Sequence, residues 1–239
     1  MNTKEKTVLV TGGTSGIGEA IARAYARDGA RVIISGRNEQ HGDRIADELG
    51  EGARFVRADL ARLDDVEHLA SEVNGVDVLV NNAGVFPFGP THEVDSDEFD
   101  AAYALNVRAP FFLTAAVAPR MAANGGGAIV NVTTMVASFG LVGAALYGST
   151  KAALELLTKA WAAEYGPQGV RVNAIAPGPT RTPGTDSMGE GLNQLASTVP
   201  LNRPADTNEI AAAALFLGSD EASYVNGAVL AVDGGRRAV

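Results

Sequence analysis

The chain has 239 residues, with 19 basic against 28 acidic side chains, a net charge of −9, no cysteine and three histidines. That length suits one domain with a sizeable core; the missing thiols exclude disulfides, thiolate metal sites and a cysteine nucleophile. His41, His68 and His92 have no metal-ligand spacing, and an acidic surface repels phosphate backbones, which speaks against a nucleic-acid partner.

The first residues, Met-Asn-Thr-Lys-Glu-Lys, lack the apolar stretch of roughly 7–15 residues that marks a signal peptide. No apolar run approaches the roughly 18 residues that cross a bilayer, so the expectation is a cytoplasmic protein with no membrane partner. The first strand, Thr7–Thr11, leads into Thr11-Gly12-Gly13-Thr14-Ser15-Gly16-Ile17-Gly18 and a helix over Ile17–Arg27. Glycine lets the backbone approach a pyrophosphate closely, and free N–H groups at a helix start favour negative charge. A dinucleotide site is the reading, although the spacing is not the commoner G-x-G-x-x-G and lacks the ending of an ATP-type loop.

A second strand, Arg31–Ser35, ends in Gly36-Arg37-Asn38 before a helix over Glu39–Leu49. A carboxylate near this point suits the ribose 2′-hydroxyl of NAD, whereas an arginine suits a 2′-phosphate. Arg37 with no acid beside it favours NADP(H), with NAD(H) as the alternative. The strand Arg54–Ala58 ends at Asp59-Leu60, a helix covers Asp64–Val73, and the strand Asp77–Asn81 runs into Asn82-Ala83-Gly84. Next come a helix over Phe99–Ala123, a strand over Ala128–Thr133, a helix over Tyr147–Tyr165 and a strand over Val170–Ala176. The proline-rich stretch 177–208 has no regular pattern and follows a strand, so it reads as a substrate lid at the ligand-binding edge of the sheet. A helix over Glu209–Leu217 and a strand over Ala228–Val232 complete the chain. Strands alternating with helices predict an α/β Rossmann fold across 1–239. It would be a single domain with a doubly wound, seven-stranded parallel sheet and helices on both faces.

Tyr147 and Lys151 stand four apart, so both project from one helix face. At this point the sequence resembles the short-chain dehydrogenase/reductase family, in the subgroup similar to 3-oxoacyl-carrier-protein reductases. The resemblance rests on Thr11–Gly18, Asp59, Asn81–Gly84, Asn106, Tyr147-x-x-x-Lys151, Pro177-Gly178 with Thr182, and Val232-Asp233-Gly234-Gly235. It implies hydride transfer between nicotinamide C4 and a carbonyl or alcohol carbon, with Tyr147 as acid/base. Lys151 would lower the phenol pKa and hold the nicotinamide ribose, and Asn106 would hold a relay water. The family serine thirteen residues before the tyrosine is replaced by Thr134, which keeps the hydroxyl and adds a methyl. The resemblance also puts Gly12, Thr14, Ser15, Gly16, Ile17 and Gly18 at the phosphates and Asp59 with Leu60 at the adenine. Asn82, Ala83 and Gly84 would line the ribose side, with Pro177, Gly178, Thr180 and Thr182 beside the nicotinamide amide. No metal is implied.

Phe86, Phe88, Ser138, Phe139, Leu146 and the Pro179–Ser187 stretch are candidates for the substrate pocket, a mix suited to a moderately apolar carbonyl compound. No basic residue falls between Arg120 and Lys151, nor between Lys159 and Arg171. A free small-molecule ketone, or a coenzyme-linked one, therefore fits better than an acidic carrier protein. Two rivals stay open: an NAD-dependent dehydrogenase of a secondary alcohol, sugar or steroid, and a non-catalytic dinucleotide-binding regulator. The resemblance further implies a homotetramer assembled through Phe99–Ala123 and Tyr147–Tyr165, whose apolar residues spread widely around both helices.

Overall fold

In the computed structural model, which describes residues 3–239, seven strands form one wholly parallel sheet in the order β3-β2-β1-β4-β5-β6-β7. They are β1 (Thr7–Thr11), β2 (Arg31–Gly36), β3 (Arg54–Arg57), β4 (Val78–Asn81), β5 (Gly127–Val132), β6 (Val170–Pro177) and β7 (Val229–Val232). The central strands are apolar without alternation because both their faces are covered. Leu9 enters one core while its neighbours Val8 and Val10 enter the other. Helices α1 (Gly16–Arg27), α2 (Glu39–Leu49) and α8 (Thr207–Gly218) cover one face through Ile21, Tyr25, Ile45, Ile210 and Leu217. Helices α3 (Leu63–Glu72), α5 (Ala109–Ala123) and α6 (Ala145–Tyr165) cover the other through Leu69, Leu113, Met121, Leu154 and Trp161.

The chain leaves β1 toward β2 and returns on the opposite side to β4, so the strand order reverses between β1 and β4. Ligands bind in open α/β sheets beyond the carboxyl ends at such a crevice. Register places Val10 beside Val80 and Val80 beside Val130, which brings the ends of β1, β4 and β5 level.

Two local features depart from the sequence expectation. The helix expected over Phe99–Ala123 begins at α4 (Ser96–Tyr103) and passes through a π-turn, Ala104–Arg108, before α5. Taken together, Ser96–Ala123 is long and apolar enough on average to span a bilayer, yet Asp97, Glu98, Asp100, Arg108 and Arg120 interrupt it, so it holds no continuous apolar run of the expected length. In this fold Leu113, Val117, Ala118 and Met121 are buried against the sheet. The stretch 177–208 is not irregular throughout, because it contains α7 (Glu190–Ala196), and Thr180 pairs with Ala205 in a short bridge.

Candidate active site

The glycine loop is shaped by approaches that no side chain would permit. A Cβ on Gly18 would lie 2.2 Å from the Gly12 carbonyl and 2.3 Å from Asn82 Nδ2, while Gly12 and Gly16 take φ of +63° and +55°. Asn82 Nδ2 donates to the carbonyls of Thr11 (2.9 Å) and Gly12 (3.2 Å), tying the loop to the end of β4. Thr11 Oγ1 in turn accepts from the backbone N–H groups of Asn82 and Ala83, each at 3.0 Å. Ser15 occupies the N-cap of α1 yet makes no capping bond, so its hydroxyl stays available beside the helix N-terminus.

From this loop a groove of about 550 Å³ runs across the sheet edge to Tyr147. It is lined by every residue expected at the cofactor: Gly12, Thr14, Ser15, Gly16, Ile17, Gly18, Arg37, Asp59, Leu60, Asn82, Ala83, Gly84, Pro177, Gly178, Thr180 and Thr182, with Lys151. Ser35 lies under the same groove, buried, with a hydroxyl that has no hydrogen-bond partner among the described residues. An orphaned buried hydroxyl, a cradle that a Cβ would fill and donors at a helix start together fit a dinucleotide. Arg37 is exposed at the groove edge. A second cavity of about 710 Å³, beside Pro200, Leu201 and Arg237, contains neither Tyr147 nor Lys151.

At the far end, Tyr147 and Lys151 emerge from the first turns of α6, and Thr134 follows β5 directly. The three line the groove together. Burial pushes the Tyr147 phenol up to about 12, and a hydrogen bond with the Thr134 side chain pulls the other way. Burial draws Lys151 down to about 8, and its Nζ donates to the Val132 carbonyl at 2.9 Å. The expected lowering of the phenol by Lys151 is not found here: desolvation sets the direction of the shift and Thr134 alone opposes it.

Asn106 sits in the π-turn, a distortion that frequently marks functional sites in helices. Its Oδ1 accepts from Val85 N–H at 2.9 Å, and its Nδ2 donates to the Val85 carbonyl (2.8 Å) and Thr150 Oγ1 (3.0 Å). Both amide protons thus hold the segment after β4 against α6. A Cβ on Gly84 would meet Asn106 Oδ1 at 3.0 Å and Lys151 Nζ at 3.2 Å, so these two groups face each other across that glycine.

Phe86 and Phe88 line the groove, with ring centroids 6.4 and 5.8 Å from Tyr147. Ser138, Phe139 and Leu146 do not. The turn Met135–Ala137 carries Ser138 and Phe139 to the C-terminal arginines, and Leu146 is buried. Met135, Val136, Met188, Leu192 and Leu195 take their place. The lid residues among them sit on or beside α7, which is too short to show a helical period in the sequence.

A family model described as enoyl-(acyl carrier protein) reductase matches residues 12–237. Cyclopentanol dehydrogenase of Comamonas sp. is 37% identical, with 97% of this chain and 96% of that protein covered. A solved short chain dehydrogenase/reductase family protein is 51% identical, with a TM-score of 0.96 and full coverage of both chains. A structure from Beutenbergia cavernae, proposed to be an NAD(P)-dependent gluconate 5-dehydrogenase, holds NADP at low occupancy. It is 38% identical with a TM-score of 0.95, over 100% of this chain and 99% of that one. With this groove and these matches along its whole length, the chain belongs to the short-chain dehydrogenase/reductase family of NAD(P)-dependent oxidoreductases.

Proposed function

We propose that the protein is an NADPH-preferring reductase of uncharged, largely apolar ketones, run in reverse as a secondary-alcohol dehydrogenase. The observation that carries this is the composition of the groove. Around Tyr147 it is walled by Phe86, Phe88, Met135, Val136, Met188 and Leu192, and among the described residues its only charged ones are Arg37, Asp59 and Lys151. Arg37 and Asp59 lie at the adenosine end and Lys151 belongs to the reacting centre, so no cation is left for a carboxylate or phosphate on the substrate. Arg37, with no acid beside it at the end of β2, favours a 2′-phosphate.

A nicotinamide held in this groove would supply the hydride. Tyr147 keeps its proton at neutral pH and gives it to the substrate oxygen, while the Thr134 hydroxyl orients that oxygen by a hydrogen bond. Lys151 would hold the ribose hydroxyls and return a proton to the phenolate. Asn106, facing Lys151 across Gly84, keeps one Oδ1 lone pair for the water that connects this pair to solvent. Oligomerisation fits the surface: Phe99, Phe111, Phe112 and Leu156 are exposed on the α4–α6 layer, an apolar face suited to the helices of a homotetramer. An acidic, cysteine-free chain accords with a cytoplasmic location.

Following nicotinamide absorbance with cyclohexanone, 2-octanone and 5-ketogluconate, each with NADPH and NADH, tests this reading. Turnover of the two uncharged ketones, faster with NADPH, is expected. Turnover of the sugar acid alone would overturn the substrate class, NADH preference would overturn the cofactor assignment, and no turnover at all would favour a regulator.

A further inference from the structure

The chain does not simply stop after β7. Asp233, which is 5% exposed, accepts from Gly235 N–H at 2.9 Å and from Arg237 N–H at 3.0 Å, so the tail bends back sharply. That bend carries Arg237 to Ser138, whose Oγ accepts from Nη2. The same Nη2 lies 3.7 Å from Glu155 Oε2, in a pair whose side chains are 23% and 12% exposed. Arg236 places its guanidinium 4.7 Å from the centre of the Phe139 ring, a cation–π contact on the next residue.

Glu155 completes the arrangement. Its Oε1 lies 3.2 Å from Thr133 Oγ1 and shares that hydroxyl's single proton with the Ile175 carbonyl, which is nearer at 2.9 Å. On α6 it stands one turn beyond Lys151 and two beyond Tyr147, on the same stripe. Thr133 and Ser138 bracket the turn that starts at Thr134, which is closed by Ala137 N–H to the Thr134 carbonyl and Ser138 N–H to the Met135 carbonyl, both at 3.2 Å. Arg237 Nη1 is buried with no hydrogen-bond partner among the described residues. An unmatched buried cationic donor is costly, so the contacts that hold Arg237 in place must offset that cost.

We infer that Arg237 is a positioning residue that, with Glu155, braces both ends of the Thr134 turn against α6 and so fixes Thr134 relative to Tyr147. Neither arginine touches the groove's reacting end; both act through Ser138, Phe139 and Glu155. The inference rests on the catalytic reading of Thr134 and Tyr147 given above.

Hydrogen exchange on the full-length protein reads the brace without turnover. In Arg237→Ala, the amides of Ala137 and Ser138 should exchange roughly tenfold to a hundredfold faster, the range expected for loss of a hydrogen bond to a charged group. The 12–18 loop should keep its protection, and Arg237→Lys should restore most of that at 137–138. Ser138→Ala, which removes the same bond from the other side, should accelerate the same amides. With cyclohexanone and NADPH, Arg237→Ala should lower kcat about tenfold or more while the NADPH Kd, from fluorescence titration, stays within about twofold. Unchanged exchange at 135–139, or an equal rise in the 12–18 loop, would overturn the brace. Should the wild type fail to reduce cyclohexanone, the substrate reading falls and the exchange measurement alone decides the brace.

Discussion

Lys151 Nζ donates to the carbonyl of Val132 at 2.9 Å, joining the helix that carries Tyr147 to the last residue of β5, two before Thr134. This one bond sets the three reacting side chains on a shared frame. It also uses one of the three ammonium protons, leaving two for the ribose and relay water of the proposed mechanism.

That frame carries an energetic cost which pH reveals. In the folded protein Lys151 titrates near 8 rather than 10.5, because burial disfavours its charged form. Between those values the unfolded chain binds a proton that the folded one does not, so stability rises with pH across the window. Replacing Lys151 with Met should therefore help most below pH 8, by up to about 3 kcal/mol. That advantage should shrink as pH climbs to about 10.5. Urea unfolding of both proteins from pH 7 to 10.5 checks this; parallel stability curves would show that the lysine is not desolvated.

Thr134 should behave as a serine with an extra methyl. Thr134→Ser is expected to keep activity within a few-fold. Thr134→Ala should lose about a hundredfold in kcat, the scale of removing one donor from a reacting oxygen. Steady-state kinetics at saturating NADPH separates the two, and an active Ala variant would move the role to another hydroxyl.

The phosphate loop tolerates nothing larger than hydrogen at Gly18, where a Cβ would sit 2.2 Å from backbone oxygen. Gly18→Ala should cost about 1–3 kcal/mol in stability, the range for overpacking a filled site, and weaken NADPH binding at the same time. Thermal unfolding and fluorescence titration would show both effects; normal binding would mean that the loop can shift freely.

Arg37 should govern the choice between phosphorylated and unphosphorylated cofactor. Losing one charge-assisted hydrogen bond to the 2′-phosphate should weaken NADPH about tenfold or more in Arg37→Ala while leaving NADH nearly unchanged. An equal effect on both cofactors would remove the case for NADP.

Much of this was legible in the residues. Uninterrupted β-branched runs gave the strands because both sheet faces are covered, and Gly12, Gly16 and Gly18 marked the loop because only glycine fits there. The family resemblance, counted thirteen back from Tyr147, pointed to Thr134, which lines the groove with Tyr147. What escaped were features set by tertiary context. The π-turn at Asn106 leaves the apolar pattern from Phe99 to Ala123 unbroken, so periodicity reads one plain helix. Helix α7, seven residues between glycine and a proline-rich stretch, is too short for a period to emerge. The turn after Thr134 rotates Ser138 and Phe139 away from the groove toward Arg236 and Arg237, and no local signal in the tail announces that contact. The pull of burial on Tyr147 and Lys151 depends on what packs over them, which spacing alone does not encode.

The most direct test of the chemistry is Tyr147→Phe, which removes the proton donor and leaves the ring beside Phe86 and Phe88. With Tyr147 as the acid, kcat for ketone reduction should fall about 10²–10⁴-fold, with the NADPH Kd and the melting temperature close to those of the wild type. A Phe variant that reduces the same ketone at the wild-type rate would contradict that role.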